Sequence, residues 1–199
     1  MARYDRKDHF HERAKAEGYR SRAAYKLAEL QKAGKLLRRG QRVVDLGCWP
    51  GGWLQVASEL VGPGGRVVGI DLAETEPLGS ANTLALTGDF TQPAVQAELL
   101  AQLGGDPADV LLSDAAPKLS GIRDRDRAQE EALLLAIESC LAALLRPGGA
   151  LLVKILEGPE AQAIDKRLRA RFESARTLKP KATRKGSSER YLLARGFQG

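Results

Sequence analysis

Cysteine is nearly absent from this sequence of 199 residues: Cys48 and Cys140 are the only two, and they stand far apart. Neither a disulfide framework nor a cysteine-rich zinc site can be drawn from such a pair. Histidine is as scarce. His9 and His11 are the only two, and with no further ligand nearby they read as part of a solvated tail, so no metal is expected. No run approaches the roughly 18 apolar residues of a membrane span, and no signal-peptide core stands near the N-terminus. Asp5, Asp8, Glu12 and Glu17 interrupt the arginine-rich start, which argues against an acid-poor transit peptide. The expectation is a cytoplasmic chain with no membrane partner. Repeats and low-complexity tracts are lacking too, and nothing marks a second domain.

What is present suits one ordinary α/β domain: 43% hydrophobic residues are enough for a core at this length. The net charge of +6 is unevenly distributed. Residues 1–42 carry 13 lysines and arginines against 5 acids, residues 166–199 carry 11 against 2, and residues 43–165 carry 7 against 18. An acidic centre between two basic ends points to termini that meet a polyanion. Cationic flanks are often merely solvated, but these two also contain ordered-looking helix and strand patterns.

Along the chain, Ser21 is placed to cap a helix whose Ala24, Leu27 and Leu30 recur at three-residue steps, ending near Gly34. "RVVDLG" (42–47) is a short apolar strand ending in an acid and a glycine, followed by a helix over 53–62 that Gly62 and Pro63 stop. Further strands are predicted at 66–71, 83–90, 108–117 and 149–156. A helix over 130–145 carries Leu133, Leu134, Ile137, Leu141, Leu144 and Leu145 and is ended by Arg146-Pro147-Gly148-Gly149. Strands and helices alternating in this way indicate βαβ units and a doubly wound, mostly parallel, Rossmann-like sheet. In such sheets ligands bind beyond the carboxyl ends of the strands, where Asp45, Asp71, Asp89, Asp114 and Lys154 would gather.

"DLGCWPGGW" (45–53) is a glycine-rich turn between strand and helix, in which Gly47, Gly51 and Gly52 let the backbone come close to a ligand. Its G-x-x-x-G-G pattern is neither the G-x-G-x-x-G of dinucleotide enzymes nor the phosphate loop. Asp71 ends the second strand, where an acid accepts bonds from ribose hydroxyls. Asp89 could take an adenine amino group, with Phe90 beside the base. Each acid alone is more often an ordinary turn residue; together with the glycine turn they indicate a nucleoside cofactor. Lys154, inside the apolar run "GALLVKILEG", is an ammonium in a setting typical of acid–base groups in clefts, although a strand-end lysine reaching solvent is common.

"YRSRAAYKL" (19–27), "VVDLGCWPGGW" (43–53), "GIDL" (69–72), "GDF" (88–90), "LLSDAAP" (111–117), "GALLVKILEG" (149–158) and "SSERYLLARGF" (187–197) occur in the order seen in the RrmJ/FtsJ-like ribose 2′-O-methyltransferases, which the chain resembles from about Tyr19 onward. The resemblance implies a methyltransferase domain over 19–199 after a basic tail over 1–18. It implies S-adenosylmethionine as cofactor, Trp53 and Asp114 among the residues that bind it, and a uridine of large-subunit ribosomal RNA as target. The family's lysine, aspartate, lysine, glutamate tetrad would fall on Lys26, Asp114, Lys154 and Glu189. Cys48 and Trp49 depart from the small residues usual before Pro50.

Methyl transfer to a ribose hydroxyl is an in-line displacement, so the enzyme must align the hydroxyl and manage one proton. Lys154 is the candidate for the proton. A free lysine, with a pKa of roughly 10.4, is a poor base at neutral pH, but burial, Lys26 and the sulfonium would lower that value, while Asp114 and Glu189 oppose them. As a cation, Lys154 would instead stabilise the developing alkoxide. Arg20, Arg22, Lys35, Arg38 and Arg39 in one flank, and Lys179, Lys181, Arg184 and Lys185 in the other, are candidates for RNA phosphates. Tyr19, Tyr25 and Tyr191 are placed either for stacking on bases or for core packing. A monomer acting on ribosomal RNA or the large ribosomal subunit is expected. A transfer RNA substrate, a nicotinamide-dependent oxidoreductase and a non-catalytic assembly factor are the competing readings.

Overall fold

The structure is a computed structural model that describes residues 9–117, 120–155, 159–182 and 189–199. Residues 9–16 of the expected tail form helix α1 (His9–Ala16), which buries Ala14 and pairs Arg13 with Glu17 at 2.7 Å. The side chains of His9 and His11 lie outside the described ones. Helix α2 (Ala23–Gly34) packs Ala24, Leu27 and Leu30 inward, as the three-residue spacing predicts. Ser21 does not cap it: Arg22 holds the cap position in helical backbone with no side-chain bond, and the Ser21 hydroxyl is buried without a partner among the described residues.

Strands β1 (Arg42–Leu46) and β2 (Arg66–Asp71) flank helix α3 (Gly52–Val61), and β3 (Thr83–Thr87), helix α4 (Pro93–Gln102) and β4 (Ala108–Ser113) follow. The valines and leucines of β1, β2 and β4 are buried on both faces, as parallel strands covered by two helix layers require. Helix α5 (Arg123–Leu144) starts two turns before the leucine-rich stretch. Asp126 in its first turn accepts bonds from Ser120 and Gly121, so the charged segment 123–129 is anchored without apolar periodicity.

Strand β5 (Leu145–Ile155) follows α5 without a loop. Arg146-Pro147-Gly148-Gly149, expected to be a helix stop, lies inside this strand as an irregularity in its pairing with β4, and Arg146 is tied to Asp109 at 2.7 Å. Helix α6 (Pro159–Ala170) and strands β6 (Phe172–Leu178) and β7 (Arg190–Phe197) complete the chain. The sheet order is β3-β2-β1-β4-β5-β7-β6, with β7 antiparallel to both neighbours and all other pairs parallel.

One face of the sheet is packed by α4, α5 and α6 around Ile137, Leu141 and Leu168, the other by α2 and α3 around Leu27, Leu54 and Tyr191. Among the described residues no helix is long and apolar enough to cross a membrane.

Candidate active site

The glycine turn brings the chain back across the end of β1. Gly47 has φ +78°, and a Cβ there would lie 2.4 Å from the Ala115 methyl, so this turn and the one after β4 touch in a way that only glycine permits. Asp71, at the end of β2, accepts the Trp49 amide at 3.0 Å and the Ala73 amide at 2.9 Å, and thereby holds the turn. A carboxylate has about four acceptor directions, so half of its capacity remains. Asp89 is fixed by the Thr91 amide (2.9 Å) and hydroxyl (2.7 Å), bonds that hold its carboxyl below the usual range.

Between these groups lies a cleft of about 570 Å³, lined by Gly47, Trp49, Asp71, Asp89, Phe90 and Asp114 among others, with Leu133 and Ala136 of α5 closing one side. A second open groove, of about 500 Å³, lies at the opposite edge of the sheet around Arg39, Gly62 and Arg66, and holds none of the strand-end aspartates. The first cleft is where the acids converge.

A small cavity of about 40 Å³ adjoins the glycine turn and is lined by Ser21, Asp45, Gly47, Gly52, Trp53 and Asp114. Two buried polar atoms there have no partner among the described residues, Ser21 Oγ and Asp45 Oδ2. Polar atoms are seldom left so when buried, and the first two residues of α3, Gly52 and Trp53, line the same cavity. Burial first, and then the charges of Asp114 and Asp71, raise the Asp45 carboxyl well above its ordinary value of 3.8. The folded chain therefore keeps a proton that the unfolded chain releases. The associated stability is complete below about pH 4 and is lost as pH rises toward the folded-state value. Asp45→Asn is expected to flatten the decline of melting temperature between about pH 4 and 7 in the cofactor-free protein; an unaltered decline would contradict this assignment.

The tetrad assembles at the ends of β4, β5 and β7. Lys154 Nζ lies 2.6 Å from the Asp114 carbonyl oxygen and 3.1 Å from Asp114 Oδ1. Lys26 Nζ, reaching across from α2, lies 3.4 Å from Asp114 Oδ2 and 2.9 Å from Glu189 Oε2. Both lysines are buried, at 6% and 8% exposure. Asp114 is shared: it lines the cleft and receives both ammonium groups. Lys154 does not reach solvent along its stem, so the strand-end reading fails for it.

Tyr191 is a further member of the site. Its hydroxyl donates to Asp114 Oδ1 at 2.7 Å, its ring is fully buried against Trp53, and Lys26 Nζ lies 5.9 Å from the ring centre. Burial, reinforced by the Asp114 charge, raises its phenol far above the ordinary value, so it remains a donor at every working pH. Of the two readings for Tyr191, core packing holds and base stacking does not. The available signal was its position two residues after Glu189, in the apolar stretch that becomes β7. Tyr191→Phe is expected to lower stability by about 1.5 kcal/mol, the low end for a bond to a charged group because Lys154 still holds the same oxygen, as read by denaturant unfolding.

Two expectations change. Trp53 is not part of the large cleft: its ring is buried, Nε1 donates to the Ala23 carbonyl at 2.8 Å, and it lines the small cavity beside the glycine turn instead. Arg20 spends its guanidinium on the Glu76 (2.5 Å) and Pro77 (2.7 Å) carbonyls, pinning the loop after β2 to the glycine turn. Arg22 lies close enough to act on the Tyr191 phenol. Lys179 and Lys181 line a groove beside α2, Lys35 and Arg38 are exposed at the end of that helix, and Arg184 and Lys185 lie outside the described residues.

Comparison with known proteins shows the family. The model of the FtsJ-like methyltransferase family matches residues 19–197. The ribosomal RNA large subunit methyltransferase E of Methanothermobacter thermautotrophicus is 44% identical over 98% of this chain and 92% of its own length. Its counterpart from Pseudomonas aeruginosa is 41% identical over 97% and 94%. A crystal structure described as a ribosomal RNA methyltransferase from Plasmodium falciparum superposes with a TM-score of 0.79 at 30% identity, over 91% of this chain and all of that one. Aeropyrum pernix fibrillarin, at 21% identity and a TM-score of 0.60, shares the fold. With the family model spanning nearly the whole chain and relatives matching end to end, this protein belongs to the FtsJ-like methyltransferases.

Proposed function

We propose that the protein methylates the 2′-hydroxyl of a ribose in large-subunit ribosomal RNA, a uridine by family resemblance, with S-adenosylmethionine as donor, as a monomer in the cytoplasm. The observation that carries this reading is Asp114, which belongs at once to the nucleoside-sized cleft and to the pair of buried lysines. The names of the relatives from Methanothermobacter and Pseudomonas support the RNA class.

The residues present suit that donor. Asp71 and Asp89 keep acceptor capacity toward a ribose and an adenine amino group, and Phe90 offers an apolar wall. The main chain at Gly47, Gly51 and Gly52, with the unpartnered Ser21 and Asp45 oxygens, suits the polar amino-acid end. When bound, S-adenosylmethionine supplies an electrophilic methyl group on a sulfonium.

The chain's own part is alignment and the proton. Two N–H bonds of Lys154 point at Asp114, which leaves the remaining direction on Nζ for the acceptor hydroxyl. As the neutral amine, with its lone pair in that direction, Lys154 takes the hydroxyl proton as the oxygen bonds to carbon. Lys26, held by Asp114 and Glu189, adds positive charge beside the developing alkoxide without competing for that proton.

The test is to incubate the protein with labelled S-adenosylmethionine and large ribosomal subunits, or their RNA, from cells that lack it, and to map the label. A methyl group on a 2′-oxygen of that RNA is expected. Label on a base, or on transfer RNA alone, would overturn the reading.

A further inference from the structure

We propose that Arg38, Arg176 and Arg195 form a binding site for a backbone phosphate of the RNA substrate, away from the reacting ribose; this rests on the RNA reading above. Arg176 and Arg195 lie on the same side of the sheet as the catalytic lysines. Side chains alternate along a strand, so the cross-strand register puts Lys154, Tyr191 and Leu178 in one row on that side. Leu152, Leu193 and Arg176 form the next row, and Ala150, Arg195 and Ser174 the one after. Tyr191 and Arg195 are four residues apart, so the cluster lies about 13 Å from the tetrad. The path along α2 from Lys26 to Gly34 gives a similar span, about 12 Å. Such a distance suits a nucleotide other than the one that is methylated.

The end of α2 gathers the arginines. Arg176 Nη2 donates to the Ala33 carbonyl at 2.7 Å, and Arg195 Nη2 donates to the Gly34 carbonyl and, at 3.5 Å, to that of Lys35. These bonds end the helix, but they do not account for the charge. A helix C-terminus carries roughly half a negative charge. The Arg176 and Arg195 guanidinium groups face it, Arg38 follows the helix, and among the described residues none of the three is ion-paired with a carboxylate. They are close enough for Arg176 and Arg38 to work against the charge of Arg195. A neutral donor would satisfy the same carbonyls without that repulsion. Each guanidinium has five N–H donors, and most of those on Arg176 and Arg195 remain after the helix is capped. Forked donors of this kind match phosphate oxygens in pairs.

The same side of the sheet carries further positive charge beside α2. A groove of about 430 Å³ runs beside α2, lined by Lys32, Lys179 and Lys181. Its one acid, Glu29, is taken up by the Lys181 amide at 2.6 Å. A polyanion laid in this groove would meet the three lysines that line it.

The experiment measures binding of a large-subunit RNA transcript at a series of KCl concentrations, for the wild-type protein, Arg38→Gln, Arg176→Gln, their double variant and Lys166→Gln. Glutamine keeps an amide donor for the Ala33 carbonyl while removing the charge, and Lys166 is exposed on α6, on the opposite face of the sheet. Each cluster variant is expected to reduce the slope of log affinity against log salt by about one and to weaken binding about tenfold at low salt. S-adenosylmethionine binding and kcat at saturating RNA should be unchanged while KM rises. Cluster variants that match Lys166→Gln, with a wild-type protein that binds RNA in a salt-dependent way, overturn the phosphate site alone. A wild-type protein that neither binds nor methylates the RNA overturns the function on which the site rests.

Discussion

Lys154→Ala is expected to bind S-adenosylmethionine with near wild-type affinity and to lose methyl transfer by about 10²- to 10⁴-fold, the usual contribution of a positioned proton acceptor. The two effects separate because Lys154 does not line the cleft, where the cofactor-sized volume is bounded by the glycine turn, Asp71, Asp89 and Phe90. Lys154→Arg refines the result. Arginine keeps the positive charge but does not give up its proton in a protein. If Lys154 takes the hydroxyl proton, the arginine variant is as inactive as the alanine one. If it works as a fixed cation, the arginine variant recovers a large part of the rate. Equilibrium binding of the cofactor and single-turnover transfer to RNA measure the two quantities, and wild-type turnover in Lys154→Ala would refute the assignment.

Asp114→Ala is expected to have a larger total effect, because one carboxylate serves three partners. It receives Lys154 at 3.1 Å, Lys26 at 3.4 Å and the Tyr191 hydroxyl at 2.7 Å, with its side chain 15% exposed. Removing one member of a buried ion pair leaves the other charge unmatched, at a cost of about 3–5 kcal/mol. Here the low end applies, since Lys26 keeps Glu189 at 2.9 Å and Lys154 keeps the main-chain carbonyl at 2.6 Å. A loss of about 3 kcal/mol corresponds to a melting temperature lower by roughly 6–12 °C in a domain of this size. Transfer should fall at least as far as in Lys154→Ala, and cofactor binding should weaken as well, because Asp114 also lines the cleft. An Asp114→Ala protein with unaltered melting and cofactor affinity would show that the shared carboxylate organises neither the lysines nor the cleft.

The parts of the molecule legible in the sequence are those written in short, local patterns. Continuous apolar runs give β1, β2 and β4 to within a few residues, since strands buried on both faces carry no polar alternation to obscure them. The acids that follow them, and the glycines that let the turn after β1 close on Ala115, sit where strands end. Other elements were hidden for identifiable reasons. Strand β6 is an edge strand whose outward residues, Glu173, Ser174, Arg176 and Thr177, are exposed, so it lacks an apolar run. The start of α5 is charged on all sides and is held by Asp126. Ser21 sits where a cap residue would, yet its hydroxyl faces a cavity shared with Asp45, which no pattern around α2 reveals.

Strand-end position and an apolar setting pointed to Asp114 and Lys154, and the family resemblance added Lys26 and Glu189. That Lys26 meets Glu189 across 163 positions of chain, and that Tyr191 holds Asp114 across 77, follows from tertiary structure alone. Pairing of β7 antiparallel to β5 puts Tyr191 beside Lys154, and the same register carries Arg195 to the far end of α2. Side chains alternate between the two faces of a strand, so a slip of one residue in that pairing would turn the phenol away from the carboxylate and the guanidinium away from the helix end. Local propensity and composition thus determine which groups the strand ends offer; the packing of α2 over one particular register of β5, β7 and β6 decides which of them meet.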